Sequence, residues 1–267
     1  MSPPLTGAGP VPILLYHRVG PEPSSWIAPY NVPTETLDEH LALVEECGRT
    51  PVTVSRLCDG MAGRASLPER PVVITFDDGF ADTLTLAAPL LARHGHVATV
   101  YLTSGFLAAR SPGGDLMLDW AQARELAAQG HEIGAHSVTH PQLDLLSAPL
   151  ARAEIQVSKA QLEEGLERRI RSFAYPHGYS SPLVRRSVVE AGFDSACSVK
   201  NALCSPRDPL FSLARLTVAA DTPASTVRRW LGGEGAPVGL RDDRAAARVW
   251  RAWRRARAMA PTPVGRS

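Results

Sequence analysis

Lysine is almost missing from this chain. Lys159 and Lys200 are the only two in 267 residues, and arginine carries the rest of the basic charge. The net charge is only +1, so no bulk field draws the chain to nucleic acid or acidic lipid, and a nucleic-acid partner is not expected. The arginine excess reads as a composition bias. The four cysteines (Cys47, Cys58, Cys197 and Cys204) contain no Cys-x-x-Cys pair, which argues against thiolate metal sites and redox dithiols. Free buried thiols are expected, with a Cys197–Cys204 pair as the alternative. No apolar run is long enough to cross a bilayer. The start lacks a basic segment followed by an apolar core, so no signal peptide and a cytoplasmic location are expected. No histidine follows His177.

What remains is ample for a core: 44% of residues are hydrophobic. Strand-like runs cover Val11 to Val19, Val72 to Phe76, Val97 to Leu102, Glu132 to Ala135, Ser172 to Tyr175, Ser195 to Val199 and, more weakly, Leu213 to Ala219. Helical patterns lie between them, from Thr34 or Thr36 to Cys47, then Asp82 to His94, Asp119 to Gln129, Ala148 to Arg169 and Pro182 to Ala191. Gly95, Gly130 and Gly192 follow three of these helices, where a left-handed cap favours glycine. Regular alternation predicts an α/β fold with a parallel sheet, and about seven strands favour a single-domain (β/α) barrel over an open sheet. The expected layout is a loose tail over 1–10, the barrel over 11–220 and a helical extension over 221–267. Within that extension, seven arginines between Arg241 and Met259 accompany Ala246, Val249, Trp250, Trp253 and Ala256 at helical spacing. This amphipathic helix has two readings, peripheral membrane contact and packing of its tryptophan face on the barrel.

Two segments carry chemistry. Val72-Val73-Ile74-Thr75-Phe76 runs into Asp77-Asp78-Gly79, which places two carboxylates at the carboxyl end of a buried strand. Adjacent buried like charges are costly unless a cation compensates, and a plain Asp-Asp-Gly turn is the bland alternative. His131-Glu132-Ile133-Gly134-Ala135 then leads into His136-Ser137-Val138-Thr139-His140. Two imidazoles at this spacing can share a metal ion, with a carboxylate from elsewhere completing a facial set.

Thr75-Phe76-Asp77-Asp78-Gly79 and His136-Ser137-Val138-Thr139-His140 resemble the first two motifs of the polysaccharide deacetylase family, the NodB-homology domain of family 4 carbohydrate esterases. Phe173-Ala174-Tyr175-Pro176-His177-Gly178 is similar to the third motif. The resemblance covers Pro12 to Val218 and implies a deformed (β/α) barrel, a divalent metal (usually zinc) and a hydrolase that removes acetyl from an N-acetylated glycan or sugar conjugate. It further implies Asp78, His136 and His140 as metal ligands, Asp77 as general base and the backbone N–H of His177 as an oxyanion donor. Ser137 and Thr139 would orient the histidine loop.

The chain departs from the family pattern twice. The arginine that braces the base in motif three is replaced by Ala174, and Arg215 in the late strand is the candidate substitute. The late Leu-x-His that supplies the general acid is missing. Leu15-Tyr16-His17 ends the first strand, which neighbours the last in a barrel. This permuted arrangement resembles that of poly-N-acetylglucosamine deacetylases and makes His17 the candidate acid, with His177 as its rival. Trp26, Tyr30 and Tyr179 are candidates for stacking on sugar rings, and Asp119-Trp120 is read either as groove lining or as a helix cap. Two other functions stay open, the same site acting on a non-sugar amide or cyclic ureide and a non-catalytic glycan binder.

Overall fold

The computed structural model describes residues 9–239. Seven strands, β1 (Ile13–Tyr16), β2 (Pro71–Phe76), β3 (Thr99–Leu102), β4 (Glu132–Ala135), β5 (Ser172–Ala174), β6 (Ser195–Cys197) and β7 (Leu216–Thr217), form one curled parallel sheet in the order β7-β1-β2-β3-β4-β5-β6. Parallel neighbours require crossovers. These contain α1 (Thr34–Glu46), α2 (Val54–Met61), α3 (Ala88–Arg93), α4 (Trp120–Ala128), α5 (Ala148–Leu166) and α6 (Pro182–Glu190), and α7 (Ala224–Leu231) follows β7. The segment leading into β7 closes the curl. Leu213 bridges Cys197 in β6, and Leu216 and Thr217 pair with Leu14 and Leu15 in β1. The expected deformed barrel is therefore the observed one.

Strand alternation sorts the side chains into two layers. Leu14, Tyr16, Val72, Ile74 and Phe76 pack outward in the larger core under the helices. Ile13, Val73, Tyr101, Ala174, Cys197 and Leu213 form a second cluster inside the barrel, joined at its lower end by Val54, Leu57 and Cys58 of α2. The interior is tight. A Cβ at Gly134 would lie 2.4 Å from the Tyr101 ring, so glycine there makes room for the aromatic. The Tyr101 hydroxyl reaches Ser172 Oγ at 2.6 Å, which satisfies a buried polar group. All four cysteines are free, and burial raises the thiol pKa values of Cys58, Cys197 and Cys204.

Several local expectations change. The helix expected over Asp82 to His94 divides into a π-helical turn, Thr83–Ala87, followed by α3. Pro89 has no N–H to continue the regular ladder, and its ring crowds the preceding turn, so a widened turn relieves both problems. Helix α2 was not expected. Its signal was present, since the Thr53 side chain accepts the Arg56 N–H as an N-cap ahead of Val54, Leu57 and Cys58. Asp119 caps α4 in a reciprocal box with Gln122, and Trp120 packs on Gly165 of α5, so this pair serves helix packing and not the groove. Helix α7 lies against α1 with an ion pair, Arg228 to Glu46, at 2.7 Å. The arginine-rich helix expected between Arg241 and Met259 lies outside the described residues.

Candidate active site

The alternation that fills the barrel also aims the polar residues. Val73 and Thr75 point inward, so Asp77, two residues on, does too. Glu132, Gly134 and His136 repeat the pattern in β4, and Leu213 and Arg215 repeat it in the closing segment. At the carboxyl end of the sheet Asp77, His136 and Arg215 meet.

Asp77 is buried and accepts two parallel hydrogen bonds from Arg215, Nη1 to Oδ1 and Nη2 to Oδ2, both 2.7 Å. Arg215 is fully buried and is fixed further by Thr75 Oγ1 at 3.2 Å, the Ser198 carbonyl at 3.4 Å and the Tyr101 ring, 5.5 Å from its guanidinium carbon. Paired buried charges of this geometry satisfy each other, whereas either alone would be strongly destabilising. Burial works to raise the Asp77 pKa, but Arg215 and then His136 outweigh it and hold the carboxyl below its usual range. Ala174, where an arginine was expected, is a small interior residue of β5. Arg215 reaches Asp77 from another strand.

Asp78 turns away from its neighbour. Its φ of +74° lies in the left-handed region, and Gly79 follows at +91° with a hypothetical Cβ only 2.9 Å from the Leu102 side chain. Asp78 Oδ1 lies 3.4 Å from His136 Nε2 and 3.2 Å from His140 Nε2. His136 Nδ1 is 2.8 Å from the Ala174 carbonyl, which can only accept, so Nδ1 carries a hydrogen and Nε2 is the ring atom that faces Asp78. A carboxylate oxygen and two imidazole nitrogens thus converge, all within 4.8 Å of one another. Asp78 Oδ1 is buried and has no hydrogen bond among the described residues. Three such ligand atoms gathered in a buried pocket suit a cation, and this nitrogen–oxygen set fits a divalent metal with open positions. Burial brings the His140 pKa down to about 4, which keeps this ring neutral and able to ligate at ordinary pH.

His17 follows the inward positions of β1. Its ring lies against Tyr30, centroids 5.0 Å apart, and its Nδ1 is buried without a hydrogen-bond partner among the described residues. Burial lowers its pKa, against the opposing pull of Asp78 and Asp77. His177, exposed with φ +57°, sets its ring 4.6 Å from that of His140, and Tyr179 stacks behind it at 6.4 Å. Trp26 meets the edge of His140 at 6.5 Å. The three aromatics singled out in the sequence therefore each lie beside a histidine of this region. Asp78, Ser137, His140 and His177 all have positive φ, a clustering of strained backbone at one site. Glu154 of α5, which no sequence pattern flagged, bonds the loop between the two histidines.

These features define a curled α/β barrel with a metal-type centre beside an arginine-held carboxylate. Residues 64–196 match the polysaccharide deacetylase family model. The chain is 24% identical over 209 residues to the Bacillus subtilis protein named "Putative polysaccharide deacetylase YxkH", covering 78% of this chain and 71% of that one. A 61-residue stretch, 23% of this chain, is 38% identical to the poly-beta-1,6-N-acetyl-D-glucosamine N-deacetylase of Escherichia coli K12, but spans only 9% of that protein. Among solved structures, the Streptococcus pyogenes deacetylase PplD superimposes with a TM-score of 0.74 at 21% identity, over 82% of this chain and 96% of that one. IcaB from Ammonifex degensii does so with 0.73 at 24%, over 86% and 98%. The chain belongs to the polysaccharide deacetylase family and is a hydrolase acting on carbon–nitrogen bonds.

Proposed function

We propose that this protein is a metal-dependent N-deacetylase of a polymer containing N-acetylated sugars, releasing acetate and leaving a free amine. The observation that carries the reading is the division of labour between adjacent aspartates, with Asp78 beside His136 and His140 and Asp77 clamped by Arg215. Asp78, His136 and His140 would hold the ion, with zinc favoured by the donor set. Such an ion supplies Lewis acidity at the amide carbonyl and makes water more acidic. Asp77 takes a proton from the attacking water, and Arg215 keeps it ionised and aligned to do so. The backbone N–H of His177 donates to the oxygen that gains charge. His17 gives a proton to the departing nitrogen. Trp26, Tyr30 and Tyr179 offer faces on which sugar rings stack.

Acetate release from oligomers of N-acetylglucosamine, including β-1,6-linked ones, tests this reading. Activity should vanish with a chelator and return with zinc or cobalt. A zinc-loaded protein that releases acetate only from small non-sugar amides would overturn the substrate class, and chelator-resistant turnover would overturn the metal. His17→Ala should lower kcat by about 10²- to 10⁴-fold while zinc stays bound. Unchanged kcat in that variant would remove His17 from the mechanism and leave His177 as the acid.

A further inference from the structure

The loop that carries the two histidine ligands cannot hold itself. In a helix, residues four apart are locked by the backbone ladder, but here Ser137 and His140 have φ of +66° and +58° and the segment is irregular. Its carbonyls are fixed from one side, since Ser104 N–H donates to Ser137 at 3.1 Å and Gly105 N–H to Val138 at 2.9 Å. Inside the loop, Ser137 Oγ accepts the His140 N–H at 3.0 Å. Three further donors converge on one carboxylate. Glu154 Oε2 accepts the N–H groups of Val138 at 2.8 Å and Thr139 at 2.9 Å, and Oε1 accepts the Thr139 hydroxyl at 2.8 Å. Glu154 projects from α5, a 19-residue helix whose Ala151, Ile155, Ser158 and Leu162 are buried, so its anchor is rigid.

We infer that Glu154 is a positioning residue for the metal centre. Its carboxylate replaces the missing helical ladder and fixes the spacing between His136 and His140, setting metal affinity and coordination geometry without touching the ion. The inference rests on the proposed metal reading of the site. Gln is the informative substitute, because its carbonyl oxygen can accept both N–H groups while its amide donates to the Thr139 oxygen. The geometry survives and only the charge is lost.

The test measures zinc affinity by competition with a chromophoric chelator, and the visible absorption of the cobalt-loaded protein, in wild type, Glu154→Gln, Glu154→Ala and the exposed control Glu164→Ala. Glu154→Ala should lose about 10- to 100-fold in zinc affinity and show an altered cobalt band, Glu154→Gln should recover most of both, and Glu164→Ala should match wild type. Wild-type affinity and an unchanged cobalt spectrum in Glu154→Ala would overturn the inference, as would a fall in thermal stability without either change. If Glu154→Ala does not fold, Glu154→Asp, too short to bridge the same donors, replaces it under the same criteria. Failure of wild type itself to bind zinc or cobalt would instead sink the metal reading.

Discussion

Two carboxylates line the same barrel at opposite ends, and they are kept in different ways. Glu132, at the start of β4, accepts from neutral donors: the Ser55 hydroxyl, the Ser55 N–H at 3.0 Å and, at 2.9 Å, the Thr99 hydroxyl. Burial dominates there and raises its pKa despite those bonds. Asp77, at the end of β2, is buried more completely, yet Arg215 keeps its pKa low. Neutral donors satisfy a carboxylate and tie α2 to the sheet. A guanidinium keeps one ionised inside a protein, which is what a proton acceptor needs. Burial alone does not mark a site; the charge that answers it does.

Removing the charge should break this comparison most strongly. Arg215→Met strands Asp77, and unfolding in urea should show a loss of about 3–5 kcal/mol. Asp77→Asn in that background should restore much of the stability while acetate release stays abolished. A single Arg215→Met variant of wild-type stability would mean that Asp77 protonates at little cost. Next in size is the pH dependence, where the two groups have opposite signs. Asp77 contributes stability that is present above about pH 3.8 and is lost as pH falls through its depressed native value. Glu132, whose native pKa is raised, contributes stability that is present below about pH 4.5 and is lost as pH rises through its native value. Urea midpoints followed across the acid range in Asp77→Asn and Glu132→Gln should therefore diverge from wild type in opposite directions; parallel profiles would refute the distinction. The smallest effect belongs to Glu132→Gln at neutral pH, expected within about 1 kcal/mol of wild type with kcat/KM unchanged. A large loss of activity there would place Glu132 in the chemistry.

Much of the site was legible because the strand period is two. Asp77 and His136 follow interior residues at alternate positions, and the pattern can be counted along the chain. The alternation of apolar segments likewise announced the barrel. Legibility failed where a contact joins segments distant in sequence. Glu154 looks like any surface glutamate on an amphipathic helix, and only docking of α5 beneath the histidine loop gives it a role. Helix α2 was overlooked for a different reason, because eight residues with one threonine cap make a weak periodic signal. Pro89 was in plain view, but its consequence, a π-helical turn, depends on how the widened backbone packs.

The closing strand shows the boundary best. Local sequence determined that Leu213 and Arg215 share a face, since neighbours two apart on an extended chain must do so. It also determined that Ala174 could not brace Asp77, as a methyl group has no donor. That Arg215 would supply the missing guanidinium was decided by closure alone. The segment passes from Cys197 to Leu14 and brings a residue 138 positions away to within 2.7 Å of Asp77. Periodicity is a property of the backbone and can be read locally; a buried ion pair across a barrel exists only once the sheet has curled far enough for its first and last strands to meet.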